Sequence, residues 1–103
     1  MSDPGLDLNP MAAKAVEVAA LLKALANEKR LLVLCRLAEG EATVTTLAAE
    51  VGLSQSATSQ HLARMRTEGL ISFRRDAQTI WYRIADAKLA TLLETMRRLY
   101  CEP

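Results

Sequence analysis

The spacing of polar and apolar residues between Leu53 and Arg66 predicts a helix with an unusual surface. Its narrow apolar stripe consists of Ala57, Leu62 and Met65, with Thr58 able to pack beside it. The opposite side begins with small polar groups and ends with arginines: Ser56, Ser59, Gln60, Arg64 and Arg66. Ser54 is a natural N-cap, because its hydroxyl oxygen can accept a hydrogen bond from a free N–H of the first turn. A helix that is only solvated usually carries Glu and Lys on its wet side.

Short polar side chains on a helix can approach base edges and phosphates closely, so this pattern is typical of a DNA-recognition helix. Ser54 and Gln55 lie at its start. The predicted base and nearby phosphate contacts come from the first half of the helix: Ser56, Thr58, Ser59, Gln60 and His61. Arginines in its second half, Arg64 and Arg66, are predicted to contact the DNA backbone.

Three helices are predicted before this segment. The first runs from about Pro10 to Leu25 and is apolar on more than one side, which indicates a second packing partner. Asn27 is expected to cap the second, Glu28 to about Ala38, and Thr43 a short third helix ending near Val51. The brief Gly52-Leu53 turn then gives the spacing of a helix-turn-helix.

A β-hairpin and a last helix are predicted after it. Residues 70–75 and 79–84 alternate between apolar and polar side chains and are rich in β-branched and aromatic residues, with a polar tip at 76–78. Arg74, Arg75 and Gln78 make this hairpin a basic wing that can hold the backbone or the minor groove. Asp86 should cap a final helix that continues to about Cys101.

Composition and charge agree with one mainly α-helical domain. The 103 residues are half hydrophobic and only 4% aromatic, which favours helices packed through Ala, Leu, Val and Met. The net charge is +1, but residues 54–84 alone hold five arginines against two carboxylates, a net +3. So small an excess favours DNA binding as a dimer. We expect a flexible tail over residues 1–8, and a winged-helix DNA-binding and dimerisation domain over 9–103.

The first residues lack a basic leader, and Lys14, Glu17 and Lys23 interrupt the one Ala/Val/Leu-rich stretch. We therefore expect a cytoplasmic protein without a membrane span. Each local pattern also has an ordinary interpretation. Helix-turn-helix shapes serve protein contacts, and surface arginines are usually only solvated. The polar helix face, the short preceding helix and the basic hairpin occur in the correct order, and this coincidence favours DNA binding.

These residues resemble the ArsR/SmtB family of bacterial winged-helix repressors over about residues 20–100. The strongest matches are residues 53–62, residues 66–71 and the start of the second helix at 27–31. The resemblance implies a homodimer held by the first and last helices. It also implies recognition helices in successive major grooves of an imperfect palindrome, with release of operator DNA when an inducer binds.

Many members of this family sense metals, and here their motifs are missing. In relatives that sense soft metals, the site on the short helix resembles Cys-Val-Cys. This chain has Thr43-Val44-Thr45 at that place, and hydroxyls do not replace thiolates as ligands for soft ions. Other relatives have a zinc site on the last helix. Of its expected ligands Asp86 is present in this chain, but Lys88 and Leu99 stand where histidine is expected. The sequence predicts neither a metal site nor a resident cofactor.

Cys35 and Cys101 are the two cysteines of the chain. Most intracellular cysteines are buried and behave as small hydrophobic residues, which is the ordinary interpretation of this pair. With the metal motifs missing, residues 34–37 and 98–101 resemble the persulfide-sensing subgroup typified by BigR and SqrR. That resemblance implies a dithiol that a small sulfur species joins within each protomer, which weakens DNA binding. We expect the reduced thiols to face each other at a separation too long for an easy disulfide.

Other functions remain as alternatives. The first alternative is a metal-responsive or haem-responsive repressor of the same family, although nothing in the sequence specifies a haem cavity. A thiol oxidoreductase would need a Cys-x-x-Cys motif, which the chain lacks, so the sequence does not predict an enzyme. His61 lacks companions for metal binding or catalysis. Of Trp81 and Tyr82, the alternation of the hairpin places one in the core and one on the surface.

Overall fold

The computed structural model describes residues 9–102, so the predicted tail at 1–8 lies outside the described residues. Within them the chain forms five helices and one antiparallel hairpin. The elements in order are α1 (Met11–Leu25), α2 (Glu28–Ala38), α3 (Val44–Val51), α4 (Gln55–Thr67), β1 (Ile71–Asp76), β2 (Thr79–Ile84) and α5 (Ala87–Cys101). This is the predicted winged helix-turn-helix architecture.

Polar side chains begin four of the helices where the sequence predicts them. Asn27 Oδ1 accepts from the Arg30 N–H at 3.0 Å, and Thr43 Oγ1 accepts from the Thr46 N–H at 3.2 Å. Ser54 caps α4 and Asp86 caps α5 in the same way. Each cap satisfies an N–H that has no partner inside its own helix, which fixes where the helix starts.

The turn between α3 and α4 depends on Gly52. This residue has φ +74°, a left-handed conformation that glycine adopts without the steric cost of a Cβ atom. Its N–H and that of Leu53 both donate to the Ala48 carbonyl, which closes α3. Lys29 Nζ on α2 donates to the Val51 carbonyl at 2.8 Å. The turn is therefore bonded to α2 as well as to α3.

One hydrophobic core joins all the elements. It is centred on α2 and α3 and receives side chains from α4, β1 and α5. Its fully buried members are Val33, Leu34, Leu47, Leu62, Met65, Ile71, Leu89 and Leu93. Because α4 contributes only Leu62, Met65 and Thr58 to the buried set, most of its surface stays available.

The wing differs from the sequence prediction at its tip and its base. β1 extends through Asp76, which pairs with Thr79, so the tip is a two-residue turn and not a three-residue one. Ala77 occupies that turn at φ +58°, which is strained for a residue with a Cβ atom. At the base, Ala42 pairs with Tyr82 as an isolated antiparallel bridge that the sequence did not predict.

The two aromatic residues of β2 are both partly buried. Tyr82 packs against the core, and its ring lies 5.9 Å from that of Phe73. Trp81 lies on the other side of the strand, with the Arg74 guanidinium 5.8 Å from its ring centroid. The sequence predicts one core residue and one surface residue in this pair. Tyr82 is the one that packs against the core, whereas Trp81 is half-buried and not fully exposed.

The outer parts of α1 and α5 keep large apolar side chains in contact with solvent. Val16 is 87% exposed and Tyr100 is 84% exposed, and the same surfaces include Met11, Leu22 and Leu99. In the described part of the chain no helix is long and apolar enough to cross a membrane. Unpartnered apolar helix faces of this size typically mark a surface for another protein chain.

Candidate DNA-binding surface and cysteine pair

Helix α4 lies on the outside of the domain. Leu62 and Met65 are fully buried and fix the helix against the core. The side turned away from the core carries exposed polar or small side chains: Gln55, Ser56, Ser59, Gln60, Ala63 and Thr67. No large apolar group or carboxylate interrupts this surface, so it can approach a negatively charged groove closely.

Thr58 is the predicted DNA contact that the structure contradicts. The residue is completely buried, and its hydroxyl donates to the Ser54 carbonyl at 2.9 Å. It lies on the stripe formed by Leu62 and Met65, so it belongs to the packing face of α4. The prediction of a DNA contact at Thr58 is therefore wrong, because a buried hydroxyl that is already bonded inside its helix cannot reach a base.

Two further predicted contacts are accessible but have other partners. Ser54 is exposed, and its Oγ accepts the Ala57 N–H at 3.0 Å, which leaves the hydroxyl hydrogen free to donate. His61 is half-buried. Partial burial, followed by the positive charges of Arg30 and Arg64, lowers the pKa of the His61 imidazole. The ring is therefore biased toward its neutral form near neutral pH.

The arginines of the predicted interface have different environments. The Arg66 guanidinium lies 4.8 Å from the centroid of the Phe73 ring, between α4 and the wing. Arg74 is bonded to Glu41 through Nε at 3.0 and 3.1 Å and through Nη2 at 2.9 Å. Arg75 and Gln78 are exposed on the wing. The wing therefore offers one arginine already paired with a carboxylate and one, Arg75, with no ion pair among the described residues.

Three charged residues near this surface were missed by the sequence prediction. Glu41 pairs with Arg74 from the segment before α3. Lys23 at the end of α1 and Arg30 on α2 line a concavity beside α4 together with Arg64. No local pattern marks these residues, because each acquires its role from a partner that is more than 30 residues away along the chain.

The two cysteines are reduced and lie on helices that pack together. Cys35 on α2 is half-buried against the core, whereas Cys101 ends α5 and is exposed. Burial, the neighbouring Cys101 and the Glu39 carboxylate all raise the pKa of the Cys35 thiol, in that order of size. One thiol of the pair is accessible and the other is shielded.

The described residues contain no group of three or more His, Cys, Asp or Glu side chains that could hold a metal ion. Asp86 uses its carboxylate to cap α5, where Oδ1 accepts the Lys88 and Leu89 N–H groups at 2.8 and 3.2 Å. The predicted remnant of a zinc site therefore has a structural task in this chain.

Comparison with known proteins identifies the family of this fold. The sequence pattern of the bacterial regulatory proteins of the arsR family matches residues 27–72, from the cap of α2 through α4 into β1. The transcriptional activator HlyU of Vibrio cholerae is 41% identical over 97 residues, which cover 94% of this chain and 90% of HlyU. This chain belongs to the ArsR family.

Other members give the same result along almost the whole length. The HTH-type transcriptional regulator YgaV of Escherichia coli is 48% identical over 96 residues, covering 92% of this chain and 97% of YgaV. Among solved structures, reduced HlyU from V. cholerae has a TM-score of 0.85 at 42% identity, covering 92% of this chain and all of that one. The transcriptional repressor BigR from Xylella fastidiosa has a TM-score of 0.82 at 38% identity, covering 90% and 95%.

A more distant structural neighbour bears on assembly. The homodimeric winged helix-turn-helix DNA-binding domain of Mb0332 from Mycobacterium bovis has a TM-score of 0.74 at 35% identity, covering 86% of this chain and 82% of that one. These relatives are regulators of transcription and not enzymes. The chain is accordingly a DNA-binding transcriptional regulator with a winged-helix fold.

Proposed function

We propose that this regulator is a homodimeric repressor whose DNA binding is switched off when sulfur joins Cys35 to Cys101. The observation that carries the DNA part is the exposed polar surface of α4, which the core and the Ser54 cap hold outward beside a basic wing. The observation that supports the switch is the packing of α2 against α5, with a shielded thiol on one helix and an accessible thiol at the end of the other.

Dimerisation through α1 and α5 accounts for the exposed apolar side chains of those helices. A single copy leaves Val16, Leu99 and Tyr100 mostly in water, which is unfavourable for contiguous apolar surface. A two-fold dimer would cover them and would place two copies of α4 on one side, about 34 Å apart, to read an imperfect palindrome. The Mb0332 domain is homodimeric, which supports the formation of a dimer.

Base contacts would come from Ser56, Ser59 and Gln60, with Gln55, Ser54 and His61 at the start and edge of α4. Backbone contacts would come from Arg64, Arg66 and Arg75, and from Gln78 and Arg74 on the wing. Repression follows from occupation of a promoter by such a dimer, and the relative BigR is named a transcriptional repressor.

The proposed chemistry begins at Cys101 because that thiol is exposed and Cys35 is shielded. The Cys101 thiolate attacks the outer sulfur of an organic persulfide, forms Cys101–S–SH and releases the organic thiol. The Cys35 thiolate then attacks the inner sulfur, Cys101 Sγ, which forms the Cys35–Cys101 disulfide and releases the outer sulfur as hydrogen sulfide. If both residues carry an added sulfur, the attack leaves a trisulfide and also releases hydrogen sulfide. The persulfide is the oxidant in each case.

A bridge would reach the DNA surface through α2. Arg36 follows Cys35 in the chain, and its Nε pairs with Glu50 of α3 at 2.9 Å. An α2 that shifts to accommodate the bridge would carry α3, and with it the turn that precedes α4. Because the core is tightly packed, such a shift cannot be absorbed locally.

The test uses duplex DNA selected from a random library by binding to the dithiol protein. Fluorescence anisotropy would compare its affinity for the reduced protein and for protein treated with glutathione persulfide, while intact mass counts the sulfur atoms in the bridge. We expect release by the treated wild type and retention by Cys35→Ser and Cys101→Ser. Equal affinity of the reduced and bridged forms would refute the switch, and selection of no duplex would refute the regulator itself. A zinc or haem titration that alone releases DNA would favour those inducers instead.

A further inference from the structure

A basic concavity of about 710 Å³ lies beside α4, on the side away from the wing. Its wall combines the adjacent helices α1 and α2 with the distant helix α4. Lys23 comes from the last turn of α1, Arg30 from the first turn of α2, and Arg64 from the second half of α4. Glu68 is the carboxylate on its rim, so three cations face one anion. A site with this charge favours a ligand with negative charge.

The Arg30 guanidinium is incompletely paired within the described residues. Its Nε is shielded from solvent and has no hydrogen-bond partner among the described residues. A buried donor on a charged group is costly to leave unpaired, and Arg is suited to bind phosphate through several N–H groups at once. The same charges also influence His61, since Arg30 and Arg64 both contribute to the low pKa of its ring.

The position of the concavity relative to α4 indicates which anion would fill it. A helix is about as wide as the major groove, so a helix inserted there has a phosphate backbone along each flank. Arg64 and Arg66 are two residues apart and so point about 200° apart around the helix axis. Arg66 faces the wing over Phe73, and Arg64 faces the concavity. The two flanks of α4 therefore carry separate cations.

We propose that Lys23, Arg30 and Arg64 form a pocket for one phosphate of the DNA backbone, on the flank of α4 opposite the wing. This inference rests on the proposed DNA binding and extends the interface to α1 and α2. The pocket would position α4 in the groove without reading sequence, since phosphate contacts carry no base information. The Arg30 guanidinium would bind the phosphate together with Lys23 and Arg64.

The test compares Lys23→Gln with Lys14→Gln on the library-selected duplex. Both lysines are exposed on α1 and both substitutions remove one positive charge, but Lys14 lies about two and a half turns of the helix earlier, next to Glu17. Affinity is measured at several salt concentrations. We expect Lys23→Gln to lower the slope of log affinity against log salt by about 1 for each bound protomer, with about tenfold weaker binding at 0.1 M salt. Lys14→Gln should leave the slope unchanged.

His61 provides a second readout by NMR. A phosphate in the pocket offsets the charges of Arg30 and Arg64, so the pKa of His61 should rise in the DNA complex, and less so in Lys23→Gln than in Lys14→Gln. Equal salt slopes for the two variants, or an equal change at His61, would overturn the pocket and leave the regulator intact. Failure of the wild type to select any duplex would overturn both proposals.

Discussion

Arg74 on the wing and Glu41 before α3 form a bidentate ion pair, with the Arg74 Nε and Nη2 atoms 2.9–3.1 Å from the carboxylate oxygens. Together with the bridge between Ala42 and Tyr82, this pair fixes the base of the wing to the helix-turn-helix. Arg74 therefore arrives at the DNA with much of its charge already matched. Its neighbour Arg75 has no such partner among the described residues.

The first prediction concerns these two arginines. Arg75→Ala should lower the salt slope of DNA binding by about 1 for each bound protomer, because it removes an unpaired cation from the backbone. Arg74→Ala should lower it by less than half as much, because Arg74 is already paired with Glu41 and so neutralises less phosphate charge. Affinity measured by anisotropy at several salt concentrations distinguishes the two. Equal slopes would show that Glu41 leaves Arg74 when DNA binds.

A second prediction concerns acid titration of the wing. The hydrogen bond from Arg74, and then its charge, hold the pKa of Glu41 below its usual range. A carboxyl with a depressed pKa stabilises the fold above its unfolded pKa, and this contribution is lost as the pH falls through its folded pKa. Carbon NMR of the Glu41 carboxyl should show a higher pKa in Arg74→Gln. An unchanged pKa would mean that the pair does not form in solution.

Thr58 and Gln60 should respond in opposite ways to substitution. Thr58→Val keeps the buried shape but removes the hydroxyl that donates to Ser54, so we expect about 1 kcal/mol lower stability and unchanged sequence preference. Gln60→Ala alters only the exposed face, so stability should stay within about 0.5 kcal/mol while sequence preference changes. Urea unfolding and library selection measure the two properties. A changed sequence preference in Thr58→Val would restore Thr58 as a DNA contact.

The thiols should differ in reactivity. Cys101 is exposed, so iodoacetamide should modify it first, whereas the shielded Cys35 reacts slowly. Since the thiolate is the reactive form and the pKa of Cys35 is raised, its rate should still be climbing above pH 9, and Glu39→Gln should shift that rise to lower pH. Peptide mass spectrometry over time follows each site. Modification of Cys35 before Cys101 would contradict the order proposed for the sulfur chemistry.

Local signals in the sequence were enough for the starts of four helices and for the family. Asn27, Thr43, Ser54 and Asp86 mark helix starts through bonds made within a few residues, and such bonds do not depend on the rest of the fold. The β-branched and aromatic alternation likewise located the wing. The resemblance to the ArsR family, confirmed by comparison, rests on these same segments.

Properties set by distant contacts could not be predicted in this way. Thr58 has a side chain suited to either DNA or a helix interface, and the neighbouring core decides which. The pairing of Ala42 with Tyr82 joins positions 40 residues apart. The meeting of Lys23 and Arg30 with Arg64 depends on how α1 and α2 cross α4. Ala77 could not be predicted for a local reason, since a left-handed turn residue is usually glycine, asparagine or aspartate.

The bond from Lys29 Nζ to the Val51 carbonyl has a consequence for timing as well as for shape. Lys29 and Cys35 lie on one short rigid helix, so any displacement of that helix arrives at the start of α4 at once, without a loop having to refold. Rigid-body motion of this kind needs little reorganisation and is readily reversed. Under the proposed switch, the regulator would therefore release DNA when the bridge forms and bind it again when a thiol reductant breaks the bridge.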